Sequence, residues 1–79
     1  MKVQIKLFGI FRQFFPPQTE GPGVWLDVDE GARIQDILAR LRIPENFPKS
    51  IIYNGRVAKE GQVLHESDVI AIFSPSTGG

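Results

Sequence analysis

The apolar residues of this chain change their spacing on either side of Gly31, and that change restricts the fold more than any other feature. Before it, Val24, Leu26 and Val28 alternate with Trp25, Asp27 and Asp29, the period of two of a half-buried strand with an acidic outer face. After it, Ile34, Ile37, Leu38 and Leu41 recur at i, i+3, i+4 and i+7, the stripe of an amphipathic helix. A single helix with one apolar stripe must bury it against something else, and the remaining apolar runs are all strand-like.

Val3, Ile5 and Leu7 alternate with Lys2, Gln4 and Lys6, which predicts a strand over residues 2–8. The aromatic stretch Gly9 to Phe15 has room for a helical turn before Pro16-Pro17 stops it, and the polar run through Gly23 reads as a loop. Ser50 to Tyr53 is a short strand followed by Asn54-Gly55, the strongest short-range hairpin signal, with Arg56-Val57-Ala58 returning alongside. The nearly unbroken apolar run Val69 to Phe73 predicts a central strand covered on at least one face. Pro75 removes a ladder donor and ends it. On the helix, Asp36 and Arg40 stand four apart and are expected to pair. Pro44 marks its end, while Arg33 stands where Ser or Thr would cap better.

The order is strand, strand, helix, short hairpin, strand. The first two strands can pair antiparallel, and the first and last can lie side by side with the helix across one face. This predicts an α+β fold, the single-domain β-grasp arrangement of ubiquitin, with a mixed sheet. Residues 1–75 form the domain and 76–79 a flexible C-terminal Gly-Gly tail.

Composition narrows what such a domain can do. With 79 residues, it buries only about 60–65% of its unfolded surface, which disfavours a deep active site and favours a carrier or binding module. Nine basic and nine acidic residues cancel, and no basic stripe points to nucleic acid. No apolar run approaches the roughly 20 residues of a membrane span. Met1 to Lys6 does not read as a signal peptide, so a cytoplasmic location is expected. Cysteine is absent and His65 is the only histidine, which removes thiolate metal sites and Cys–His catalysis; no metal is expected.

Gly78-Gly79 is the one feature with a specific chemical meaning. Without Cβ, two glycines make a thread slender enough to enter a channel in another protein, and the carboxylate of Gly79 is then the group presented. A carboxylate reacts only once it is joined to a leaving group, and an acyl-adenylate made from ATP is the usual form. The bland alternative is a frayed terminus. His65, Glu66 and Asp68 read as a solvated turn. Of the aromatic group Phe8, Phe11, Phe14, Phe15 and Trp25, most rings are expected in the core, with some left as a partner surface.

These segments resemble the ubiquitin-like sulfur carriers, and most closely the small subunit of molybdopterin synthase. Val3 to Arg12 is similar to that family's first strand and following arginine. Gly31-Ala32-Arg33-Ile34-Gln35-Asp36-Ile37-Leu38 resembles its Gly-Ala-Thr-Val-x-Asp-Leu-Leu. Leu64 to Val69 sits where the family has Leu-x-x-Gly-Asp-Glu. Phe73-Ser74-Pro75-Ser76-Thr77-Gly78-Gly79 resembles its Phe-Pro-Pro-Val-Ser/Thr-Gly-Gly ending. Arg33, Ser67, Ser74 and Ser76 depart from the pattern, the last two where the tail would meet a partner.

The resemblance implies a carrier that is not itself a catalyst. An E1-like adenylyltransferase would use ATP to activate the Gly79 carboxylate, and a persulfide sulfur donor would convert it to a thiocarboxylate. The large subunit of molybdopterin synthase would then take the sulfur for the dithiolene of a pterin. Gly79 is the reactive residue in this reading, with Gly78, Thr77, Pro75 and Phe73 positioning the tail and no cofactor held permanently. A carrier for thiamin thiazole synthesis, and a ubiquitin-like protein modifier or interaction module, are the alternatives.

Overall fold

The structure is a computed structural model and describes residues 1–75. The expectations for Ser76, Thr77, Gly78 and Gly79, the tail boundary included, fall outside the described residues.

The strands are β1 (Lys2–Leu7), β2 (Gly23–Asp27), β3 (Ser50–Tyr53), β4 (Arg56–Val57) and β5 (Val69–Phe73), with one helix, α1 (Ile34–Arg40). They form one mixed sheet in the order β2-β1-β5-β3-β4. β1 pairs antiparallel with β2 and parallel with β5, while β3 pairs antiparallel with β5 and β4. This is the expected β-grasp fold. The aromatic stretch supplies its helical turn as a 3-10 helix, Gly9–Phe14, which fully buries Phe11.

Alternation sorts the strands into two faces. Val3, Ile5, Leu7, Leu26, Ile51, Ile70 and Ile72 turn inward and join Ile34, Ile37 and Leu38 of α1 in one core. Burying each such side chain stabilises the fold by about 1.5–3 kcal/mol. Phe11, Phe14 and Phe47 extend that core, with ring centroids 5.7–6.3 Å apart.

Arg33 makes no side-chain cap to α1, as its residue type implied, but the expected Asp36–Arg40 pair does not form. A guanidinium has no lone pair to offer a helix N–H, so the Arg33 side chain reaches instead to the Gly61 carbonyl at 2.9 Å. The first orphan donors are met from a distant loop: Ile34 N–H donates to Gln62 O (3.0 Å) and Gln35 N–H to Glu60 O (2.8 Å). The Asp36 carboxylate accepts the Arg33 N–H at 2.8 Å. Arg40 does not pair with Asp36; its guanidinium donates to the Asp27 carbonyl, tying α1 to β2.

At the other end the helix stops before Pro44. Arg42 takes φ +61°, and its N–H meets Ala39 O while that of Ile43 meets Leu38 O. That is a Schellman motif with arginine in the place that usually belongs to glycine.

Candidate functional site

Strand β5 leads to the candidate tail. It runs through the middle of the sheet, flanked by β1 and β3, and delivers Phe73, Ser74 and Pro75 at the end of the sheet where β1 also finishes. Phe73 stands opposite Ser50, and the Phe8 N–H reaches Ile72 O at 3.0 Å, holding the last turn of the ladder closed. Pro75 lacks an N–H, so pairing cannot continue through it. Of the five tail residues singled out, the structure brings Phe73 and Pro75 together here, both half-buried. Thr77, Gly78 and Gly79 lie outside the described residues.

No described element covers the face of the sheet away from α1. Across it, Gly23, Lys6, Ala71, Ile52 and Val57 stand in register on five successive strands. Val69 and Phe73 share that face with Ala71. The extended backbone of Phe8 carries the alternation one residue further, placing its ring on the same side. Val57 is 84% exposed, Trp25 52% and Phe8 40%. The apolar side chains on this face gather on β3, β4 and β5, with Trp25 and Phe8 beyond them, and exposed apolar patches of this kind mark interaction surfaces.

The aromatic expectation divides as stated: Phe11 is core, Phe14 and Phe15 pack partly against it, and Phe8 and Trp25 are exposed. Arg12 lies 5.5 Å from the centre of the Phe15 ring and donates to Gly21 O at 3.2 Å, pinning the loop that follows the 3-10 helix. Sequence reasoning passed over Ile52, Ala71 and Val57. Their signal was available in the parity of β3, β4 and β5, since each is out of phase with a core isoleucine or its ladder partner.

The end of β5 opposite the tail holds a polar cluster. Asp68 is not part of a solvated turn: it is 7% exposed and accepts from Tyr53 Oη (2.5 Å), Asn54 Nδ2 (2.9 Å) and the His65 N–H (2.7 Å). Burial alone would raise its pKa, but these hydrogen bonds outweigh burial and hold the carboxyl below its ordinary value. Tyr53 is pushed up to about 12, chiefly by its bond to Asp68, with burial and the nearby negative charge adding to it. The Asn54 carbonyl oxygen accepts the Val69 N–H at 2.8 Å, so the cluster fixes where β5 begins. The His65 side chain is 72% exposed, as a turn histidine should be. Glu66 accepts the Lys2 N–H at 2.8 Å.

His65 and Asp68 precede β5 and Phe73 ends it, so a strand rise of about 3.3 Å per residue separates them by roughly 16 Å. They stand at the opposite end of β5 from Phe73 and Pro75. Among the described residues no three His, Cys, Asp or Glu side chains gather as a metal site, and no helix is long and apolar enough to cross a membrane.

A β-grasp sheet with one bare apolar face and a central strand leading out beside it defines a ubiquitin-like protein. The chain belongs to the ThiS family, whose profile matches residues 5–79; this is the ubiquitin-like sulfur-carrier family that its sequence resembles. Among solved structures, SAMP1 from Haloferax volcanii superposes with a TM-score of 0.74 at 22% identity, all of both chains being covered. A Pyrococcus furiosus protein assigned as molybdopterin converting factor, subunit 1, gives a TM-score of 0.72 at 25% identity, over 94% of this chain and 97% of that one. A chain of the complex of subunits 1 and 2 of molybdopterin-converting factor from Helicobacter pylori gives 0.64 at 21%, with both chains fully covered. The first and third likenesses show the shared fold. No curated protein matches the chain.

Proposed function

We propose that this chain is the sulfur-carrying small subunit of a cytoplasmic molybdopterin synthase. The observation that carries the reading is the exit of β5 through Phe73 and Pro75 beside a bare apolar face, in a chain whose family match runs through Gly79. The Pyrococcus furiosus relative, similar over nearly the whole length of both chains, supports the choice of pathway.

The Gly79 carboxylate attacks the α-phosphorus of ATP on an E1-like enzyme, and pyrophosphate leaves. The terminal sulfur of a donor persulfide then attacks the acyl carbon and AMP departs. A second thiol cleaves the resulting acyl disulfide and leaves a thiocarboxylate. The large subunit receives the charged tail and transfers its sulfur to a pterin precursor. The side chains of this protein supply docking and delivery: the apolar face binds, β5 aims, and Phe73 and Pro75 set where the thread begins.

Intact mass spectrometry tests the proposal directly. Protein incubated with its activating enzyme, ATP and a sulfur donor should gain the mass difference of one oxygen replaced by sulfur, and a chain lacking Gly79 should not. Adducts of this chain on other proteins, with no thiocarboxylate species, would place it instead among protein modifiers.

A further inference from the structure

The outward side of β1 is polar, with Lys2, Gln4 and Lys6 in line, and Lys6 is the member of that line that falls in the row of Ala71, Ile52 and Val57. It stands between Gly23 on β2 and Ala71 on β5, and both neighbours are small. A Cβ at Gly23 would come within 3.2 Å of Lys6 Cγ, so the lysine stem passes over the space that the glycine leaves open. Among the described residues the one ion pair within 4.0 Å is His65–Asp68, and Lys6 has no carboxylate partner. The other lysine on this face, Lys2, is at the opposite end and stands beside Asp27 in the ladder, where a second negative group would be repelled.

A flat apolar surface gives affinity but little rotational register, because Val57, Ile52, Ala71, Val69 and Phe73 can slide against another apolar surface at small cost. A carrier whose tail must enter a channel needs register. A single charge placed near the root of that tail supplies it, since an unmatched ammonium at a closing interface is penalised and a matched one fixes orientation. We infer that the surface of the large synthase subunit that covers this face presents a carboxylate to Lys6, and that this contact sets the orientation in which the tail is delivered. The inference rests on the proposed function and names the chemistry of its partner.

The test measures binding of the large subunit of molybdopterin synthase from the same organism to the full chain and to Lys6→Met and Lys6→Arg, at two salt concentrations. Methionine keeps the apolar stem and removes the charge. With a carboxylate opposite, Lys6→Met weakens binding by about tenfold or more and flattens its salt dependence, while Lys6→Arg stays within a few-fold of wild type. If Lys6→Met binds as tightly as wild type or tighter, the partner surface there is apolar and the inference falls while the proposed function stands. If the wild-type chain does not associate with the large subunit at all, the proposed function falls and takes the inference with it.

Discussion

Tyr53 donates its phenolic proton to Asp68 at 2.5 Å across 15 positions of sequence, joining the end of β3 to the turn that launches β5. Asn54, the first residue of the hairpin turn, adds a second bond to the same carboxylate at 2.9 Å. The Asn54 side chain therefore both donates to Asp68 and accepts from Val69, while its φ of +48° serves the turn itself.

Removing the acceptor should cost more than removing one donor. Asp68→Ala leaves the Tyr53 hydroxyl, the Asn54 amide and the His65 N–H without their partner and should destabilise the fold by about 2–3 kcal/mol. Tyr53→Phe removes one bond and should cost about 1 kcal/mol. Urea denaturation of the two variants beside wild type measures the difference, and equal losses would contradict the geometry.

The same pair makes stability depend on pH at both ends of the scale. The folded Asp68 carboxyl lies below its ordinary value, so its contribution is present above that ordinary value and is lost as acid takes the pH down through the folded one. The Tyr53 value is raised to about 12, so its contribution is complete below the ordinary phenol value and is lost as the pH climbs through the raised one. Tyr53 is the only tyrosine, and tyrosinate absorbance therefore reports it alone. Its midpoint should move down toward the ordinary value in Asp68→Asn.

Gln18, Arg42 and Ser67 carry side chains where the backbone favours glycine. Arg42 at φ +61° and Ser67 at φ +67° occupy left-handed conformations, which cost a residue with Cβ roughly 1–2 kcal/mol. Arg42→Gly and Ser67→Gly should each stabilise by up to about 1 kcal/mol, since glycine recovers that strain but adds freedom to the unfolded chain. Thermal unfolding should show a rise of about 4–8 °C for each kcal/mol gained.

Val57 separates binding from stability. At 84% exposure it contributes little to folding, and Val57→Asp should change stability by no more than about 0.5 kcal/mol. It should nonetheless weaken association with the large subunit by about tenfold or more, because a carboxylate would be driven into an apolar contact. Calorimetric titration against that subunit, paired with denaturation of the free variant, reads both quantities.

The strands and the helix were legible because each kept one period throughout. Val3, Ile5 and Leu7 announce β1, and Ile34, Ile37 and Leu38 announce α1, from spacing alone. The parts that were not legible depend on partners remote in the chain. Nothing local to Arg33 shows that Glu60 and Gln62 will cap α1, and nothing near Arg42 shows that a charged residue will take a glycine's conformation. Asp68 looked solvated because its donors, Tyr53 and Asn54, are a hairpin away. The bare face was half legible: the apolar residues of β3, β4 and β5 could be counted, but only the sheet order shows that Ile52, Ala71 and Val57 fall in one row. Lys6 passed as an ordinary outward lysine until its register opposite Gly23 and Ala71 was known.

The position of β5 also has a mechanical consequence. Its neighbours grip it along both sides, β1 running with it and β3 against it. A pull on the chain beyond Phe73 is directed along the strand, so the two ladders are loaded in shear and their hydrogen bonds resist together. An outer strand pulled from the side would yield one bond at a time. Were a partner to draw in the residues that follow, as proposed, the force would fall on both ladders of β5 together.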